Sequence, residues 1–335
     1  MTGGLGELLK WAGAYSGAPA AVERLSSALL QFRPGAPHAH RASFLNNDGS
    51  PLQLCATYGG GERKLRLIGD PGTDRAEWSR RRAAGLKALN DTLALSRAGA
   101  LAALCDATFR RLVPREELPD EPAAGWMWLA AGLDGGAAMY INTHWGGDAD
   151  RWRDALGWLR ALLPNSDAAE ALIAALRPDA TLASVALEGL TPADARAKLY
   201  WRLTRKVSLA RLGVPFLEHP DCGAFLARIV GDAALPLTGL VLSAGFSVAE
   251  GGITDAKLDL CAHCLPRSPQ TWGAVLADSC DHFRLARFDL ADALRQGDCE
   301  VAFVGFGLDQ RQRRRLNLYL KPVEDARDGA LTCAT

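Results

Sequence analysis

The sequence of 335 residues has little that would tie it to a membrane or to nucleic acid. No apolar run reaches the roughly 18 residues that a membrane-spanning helix needs. Its 38 Lys and Arg balance 38 Asp and Glu, which argues against a basic nucleic-acid-binding surface. The stretch from Met1 to Glu7 lacks a basic start and a long apolar segment, so we expect no signal peptide. Without a secretory signal, the eight cysteines are expected to be reduced thiols in the cytoplasm.

Metal-ligand and phosphate-loop spacings are also scarce. In the stretch Cys261-Ala-His-Cys264, a strand would place 261 and 263 on one face and 264 on the other. No second Cys/His pair with ligand spacing accompanies it, so we predict no metal site. The glycine stretches 59–61 and 251–252 are read as hairpin turns, because neither joins a strand to a helix as a phosphate loop does.

Strand patterns come in pairs that recur at about sixty residues. The predicted pairs are 51–58 with 64–68, 126–131 with 138–144, 183–188 with 197–203, 240–248 with 256–263, and 300–306 with 315–321. One equivalent position in each second strand gives Arg66, Tyr140, Tyr200, Asp259 and Asn317. Amphipathic helical patterns over 5–30, 75–104, 151–163, 168–176, 220–230 and 271–294 fill the gaps. The sequence therefore predicts five helix-strand-strand-helix units in one domain over residues 1–322, followed by a loose tail over 323–335.

The second strand of each pair has one polar face and one apolar face. The polar faces carry Lys, Arg and Tyr, whereas the opposite faces are almost entirely Leu, Ile, Met and Trp. An apolar strand face must be covered, and the amphipathic helices are the available cover. We therefore predict an α+β fold in which ten antiparallel strands close into a barrel, with a polar lumen inside and a helical ring outside. The alternative is an open sheet with helices on one face, which would leave two exposed edges.

A lumen lined by cations and tyrosines indicates an anionic ligand. Several cations in a low-dielectric cavity are unfavourable without an anion, and Arg and Lys suit phosphate oxygens. Tyrosine faces attract a cation. A site of this kind suits ionisation of an allylic diphosphate, in which the cations stabilise the leaving group and the aromatic rings shield the carbocation from water.

Three stretches carry a resemblance to a known family. They are Asp48-Gly-Ser-Pro-Leu-Gln-Leu54, Arg196-Ala-Lys-Leu-Tyr200 and Arg315-Leu-Asn-Leu-Tyr-Leu-Lys-Pro322. In order and context they resemble the ABBA-type (PT-barrel) aromatic prenyltransferases, particularly the dimethylallyltryptophan synthase-like enzymes and their cyanobactin-modifying relatives. The resemblance covers nearly the whole chain. It implies a PT barrel that transfers a dimethylallyl or geranyl group from its diphosphate to an aromatic amino acid, an aromatic metabolite or a peptide side chain.

The resemblance also assigns residues to roles. It implies that the diphosphate is bound by Arg66, Arg196, Lys198, Lys257 and Lys321, and that the carbocation is shielded by Tyr140, Tyr200 and Tyr319. Trp126 and Trp128 are expected either to wall the acceptor pocket or to fill the core.

The sequence departs from the family pattern at three lumen positions. Gln53 stands where the family usually has a Glu, Ala138 replaces an expected Lys, and Asp259 an expected Tyr. A neutral amide can orient an acceptor but is no base. Glu188 and Asp259 are therefore the candidate bases, and His263 is expected to contact acceptor or diphosphate.

The helical, metal-dependent prenyl synthases are disfavoured, because no Asp-Asp-x-x-Asp motif occurs. We expect no required cofactor, although magnesium can stimulate such a reaction by screening the diphosphate. The alternative function is a non-catalytic barrel that binds a prenyl diphosphate or another phosphorylated ligand. Gln53 in place of Glu is the residue that supports this alternative.

Overall fold

The computed structural model describes residues 3–31, 43, 45–59, 62–71, 78–114, 125–142, 147–286, 294 and 299–323. Within them, ten antiparallel strands close into one barrel in which each strand pairs with its chain neighbours and β1 pairs with β10. The strands are β1 Leu52–Gly59, β2 Glu62–Gly69, β3 Met127–Gly132, β4 Ala137–Asn142, β5 Ala180–Gly189, β6 Arg196–Leu203, β7 Leu240–Ser247, β8 Ile253–Cys261, β9 Cys299–Asp309 and β10 Arg314–Pro322. The predicted PT barrel is confirmed, and the open-sheet alternative is wrong.

Helices cover the outside of this barrel. They are α1 Gly3–Ser16, α2 Pro19–Leu30, α3 Trp78–Leu95, α4 Ala102–Leu112, α5 Asp148–Leu162, α6 Asp167–Leu176, α7 Pro220–Val230 and α8 Pro269–Phe283. The helix predicted over 75–104 is instead two helices, because the chain turns at Arg97, whose φ of 58° is left-handed. Gly17, with φ of 66°, likewise separates α1 from α2.

Strand alternation divides the apolar side chains into two clusters. The outward residues pack with the helices in one large core, of which Trp201 on β6 is a member with none of its surface exposed. A second, small cluster lies inside the barrel. Its members are Leu45, Cys55, Ile68, Ala130 and Ala138, with Trp128, Tyr140 and Tyr319 packed against them. The lumen therefore has an apolar region as well as a charged one.

Two expectations from the sequence concern the C-terminal tail and membrane-spanning helices. The predicted tail starts at Val323, and residues 324–335 lie outside the described part of the chain. Among the described helices, none combines the length and the hydropathy that crossing a bilayer requires.

Candidate active site

The barrel contains a cavity of about 520 Å³ at the end where its hairpin turns lie. The turns after β3, β5 and β9 form the rim, where the side chains of Lys64, Asp134, Asp194, Arg313 and Arg314 are exposed. Deeper lining side chains come from β2, β4, β5, β6, β8 and β10. They are Arg66, Tyr140, Glu188, Arg196, Lys198, Tyr200, Lys257, Arg315, Asn317 and Tyr319. Residues from distant parts of the sequence therefore share one chamber.

Cations dominate this chamber. Arg66, Arg196, Lys198, Lys257 and Arg315 line it, against one cavity-lining carboxylate, Glu188, below the rim. Two further carboxylates, Asp255 and Asp259, lie directly beside these cations. Five positive charges against three negative charges leave an excess of two, so the described part of the chamber favours an anion.

Glu188 forms ion pairs with cations from two strands. Its Oε1 lies 2.6 Å from Arg196 Nη2 and 3.0 Å from Lys198 Nζ, and its Oε2 lies 3.4 Å from Arg66 Nη1. Burial opposes ionisation, but Lys198, Arg196 and Arg66 outweigh it and hold the pKa of Glu188 well below its usual value. A carboxylate held ionised so firmly is a weak proton acceptor, which argues against Glu188 as the predicted base.

Asp255 pairs with three cations that line the cavity. Its Oδ2 lies 3.2 Å from Arg196 Nη1 and 3.4 Å from Lys198 Nζ, and it accepts a short hydrogen bond from Arg315 Nη2. Burial raises its pKa, but Lys198, Arg315 and Arg196 bring the pKa of Asp255 well below the usual value. The opposing position on β7 is Gly245, where a Cβ would lie 2.1 Å from Asp255 Oδ1. Because Gly245 has no side chain, the barrel wall has room for the carboxylate of Asp255.

Lys257, Asp259 and Tyr319 form a second polar group. Lys257 Nζ lies 2.6 Å from Asp259 Oδ2 and donates a hydrogen bond of 2.7 Å to Tyr319 Oη. The other oxygen of Asp259, Oδ1, is buried and accepts no hydrogen bond. It lies against Gly305 of β9, where a Cβ would be 2.0 Å away. Asp259 thus lies on the lumen face of β8 beside the cavity but not in its lining, with one oxygen unpartnered.

The three predicted shielding tyrosines all line the cavity. The ring centroids of Tyr140 and Tyr200 are 5.8 Å apart, and Lys257 Nζ lies 5.9 Å from the Tyr200 centroid and 5.2 Å from that of Tyr319. A cation at these distances is attracted by the ring faces. Burial raises the pKa of Tyr140 to about 12, and it raises the pKa values of Tyr200 and Tyr319 well above normal. The tyrosines are therefore neutral hydrogen-bond donors.

Two predicted lumen residues lie away from the cavity. Lys321 pairs with Asp48 by a short contact and with Glu300 at 3.1 Å, so its charge is already matched. The prediction that Lys321 joins the diphosphate-binding cations is therefore corrected. Alternation gives the face of the strand on which a residue lies, but not its depth along the barrel axis. Gln53 is buried beside the same barrel end, where its Nε2 donates hydrogen bonds to Leu45 O at 3.1 Å and to Asn46 Oδ1 at 2.7 Å.

Trp126 and His263 lie outside the strands that were predicted for them: the core alternative holds for Trp126, and His263 lies away from the cavity. Trp126 precedes β3 and packs outside the barrel against Trp78 and Phe109, so it is a core residue and walls no pocket. His263 lies beyond β8, exposed in a 3₁₀ turn over Ala262–Cys264, and does not line the cavity. Trp128, in contrast, packs against the inner apolar cluster.

Asp255 was not predicted. The predicted strand began at 256, although the alternation Asp255, Lys257, Asp259 continues the lumen face of β8 by one residue. Glycines Gly245, Gly305 and Gly307 within strands were a second signal, because each stands where a neighbouring charged side chain needs room. Within the described residues, no group of three or more His, Cys, Asp and Glu side chains could hold a metal ion.

No protein-family model and no curated protein matches the sequence. Solved structures do match it. The structure of 5-dimethylallyltryptophan synthase from Streptomyces coelicolor in complex with DMASPP and Trp is 18% identical, with a TM-score of 0.76 over 95% of this chain and 93% of that one. This chain has the PT-barrel fold.

Other prenyltransferases share the PT barrel with this chain. The 6-dimethylallyltryptophan synthase from Micromonospora olivasterospora in complex with DMASPP and Trp is 19% identical, with a TM-score of 0.74 over 95% of this chain and 96% of that one. AnaPT from Neosartorya fischeri is 15% identical, with a TM-score of 0.68 over 91% and 86% of the two chains. The likeness therefore covers almost the whole chain.

Proposed function

We propose that this protein is a prenyltransferase that moves a dimethylallyl or geranyl group from its diphosphate to an electron-rich acceptor. The acceptor would be an aromatic amino acid, an aromatic metabolite or a peptide side chain. One observation carries the proposal: five cations and three tyrosines from five different strands converge on one cavity of a PT barrel. The neighbours with this fold that were solved with DMASPP and Trp support the same donor and acceptor classes.

The donor's diphosphate would be bound by Arg66, Arg196, Lys198, Lys257 and Arg315. Guanidinium and ammonium groups in a cavity shielded from bulk water stabilise the negative charge that grows on the leaving diphosphate. As the allylic C–O bond breaks, its electron pair leaves with the diphosphate and the prenyl group becomes a cation. Arg315 takes the place that the sequence had given to Lys321.

The carbocation would lie among Tyr140, Tyr200 and Tyr319. Their faces attract a cation, and the aromatic rings exclude the water that would otherwise capture it. The apolar cluster beside them, which includes Trp128 and Ile68, supplies surface for the hydrocarbon of donor and acceptor. Capture by an aromatic acceptor forms the new bond and leaves an acceptor cation that must lose a proton.

We assign proton removal to Asp259. It pairs with one cation, Lys257, whereas Glu188 is held ionised by three cations. Transfer of the acceptor's proton to Asp259 restores the aromatic ring and completes the reaction. Gln53 takes no part in this proposal, since it lies away from the cavity and its amide protons already bind Leu45 and Asn46. A cytoplasmic location and a purely stimulatory effect of magnesium stay predictions from the sequence.

A mass-spectrometric screen tests the proposal. The purified protein is incubated with dimethylallyl or geranyl diphosphate, each with tryptophan, tyrosine, simple phenols and short aromatic peptides. We expect one acceptor to gain the mass of one prenyl unit. If calorimetry shows that the diphosphates bind while no acceptor is alkylated, the non-catalytic alternative replaces the transferase. If no diphosphate binds, only the fold is shared.

A further inference from the structure

Two carboxylates, Glu188 and Asp255, share two cations, Arg196 and Lys198, and approach them from different sides. Glu188 lines the cavity, and its ion pairs reach Arg66, Arg196 and Lys198 from within it. Asp255 does not line the cavity; it is 1% exposed and lies in the barrel wall over Gly245. One carboxylate therefore stands in the path of an entering anion, while the other stands behind the cations.

The position of Glu188 has an electrostatic consequence. An anion that binds Arg66, Arg196 and Lys198 must displace the Glu188 carboxylate or share these donors with it. A shared site places two negative groups within a few ångströms of each other among buried side chains, which is unfavourable. The cross-strand neighbour of Glu188 on β4 is Ala138, so this neighbour supplies no charge that would lessen the repulsion.

We propose that Glu188 is an internal competitor for the diphosphate-binding cations, and that it weakens the binding of the donor and of the inorganic diphosphate product. Asp255 is the opposite kind of residue, a positioning residue that fixes Arg196, Lys198 and Arg315 from behind. The inference rests on the proposed function, because it concerns the same diphosphate site. Its consequence for turnover is faster release of the diphosphate that remains after prenyl transfer.

Calorimetric titration with inorganic diphosphate tests this role. Glu188→Gln removes the charge and keeps the size, and we expect it to bind inorganic diphosphate about tenfold more tightly than wild type, an effect of about 1.4 kcal/mol. Glu188→Asp keeps the charge and shortens the side chain, so its affinity should stay within about threefold of wild type. Asp255→Asn should bind about tenfold more weakly, because its three cations lose their fixed positions.

The comparison of the two Glu188 variants decides the proposal even if Asp255→Asn does not fold. Tighter binding by Glu188→Gln alone supports competition by charge. Unchanged or weaker binding by Glu188→Gln, or equal tightening by both variants, overturns it while leaving the proposed function intact. If neither wild type nor Glu188→Gln binds inorganic diphosphate, the diphosphate site itself is refuted, and the proposed function fails with it.

Discussion

Replacement of Lys198 by Met tests the diphosphate site most sharply. The Lys198 side chain is 6% exposed, and its ammonium group lies 3.0 Å from Glu188 and 3.4 Å from Asp255, in the middle of the cation cluster. Met keeps most of the side-chain volume and removes only the charge. A diphosphate that leaves without this cation loses one preorganised charge contact, for which mutational studies of similar contacts indicate about 2.7–4 kcal/mol.

We therefore expect kcat/KM for prenyl transfer by Lys198→Met to fall about 10²–10³-fold. The fold should persist, because Arg66, Arg196 and Arg315 still pair with the two carboxylates. A stability loss of about 1 kcal/mol would lower the melting temperature of a chain of this length by roughly 1–2 °C.

Lys87→Met is the matched control for this substitution. Lys87 lies on α3, with a side chain that is 67% exposed and pairs with Asp91. The same change of residue type there should leave kcat/KM within about twofold, since surface ion pairs contribute little. A folded Lys198→Met protein with kcat/KM within about threefold of wild type would refute the assignment of the cation cluster to diphosphate.

Three further predictions follow from the same geometry. Burial lowers the pKa of Lys198 to about 8, although Asp255 and Glu188 favour its charged form. Lys198 therefore loses its proton as the pH rises above about 8, and its affinity for a diphosphate should weaken there by at most tenfold per pH unit. Lys198→Arg should lack this component of the pH profile, because Arg stays charged. Identical pH profiles for wild type and Lys198→Arg would contradict this prediction. Lys321→Met should leave the dissociation constant for inorganic diphosphate unchanged in calorimetry; a tenfold loss would return Lys321 to the site. Trp201→Ala should lower the free energy of unfolding by about 3–5 kcal/mol in urea denaturation, and a loss below 1 kcal/mol would contradict its place in the outer core.

Strand alternation made much of this site predictable. Side chains at every second position share a face, so the lumen positions of Arg66, Tyr140, Lys198 and Lys257 followed from the sequence once closure was inferred. The even spacing of the hairpins supported closure, because a closed barrel has no exposed edge.

The errors lie where alternation carries no information. It does not locate strand ends, which is why His263 was placed in the lumen and the pocket stayed open as an alternative for Trp126, although both lie outside strands. It does not give depth, which misplaced Lys321. It also does not give partners: the ion pair between Arg66 and Glu188 joins residues far apart in the chain through the closure of the barrel.

The central claim is that the cation cluster and the tyrosines together transfer a prenyl group to an acceptor. The most direct measurement follows inorganic diphosphate release and acceptor alkylation in one reaction, with and without the acceptor found in the screen. The account predicts one diphosphate released for each acceptor alkylated, and little release without acceptor, because the aromatic chamber excludes water from the carbocation. Diphosphate release that exceeds alkylation and does not depend on the acceptor would contradict it.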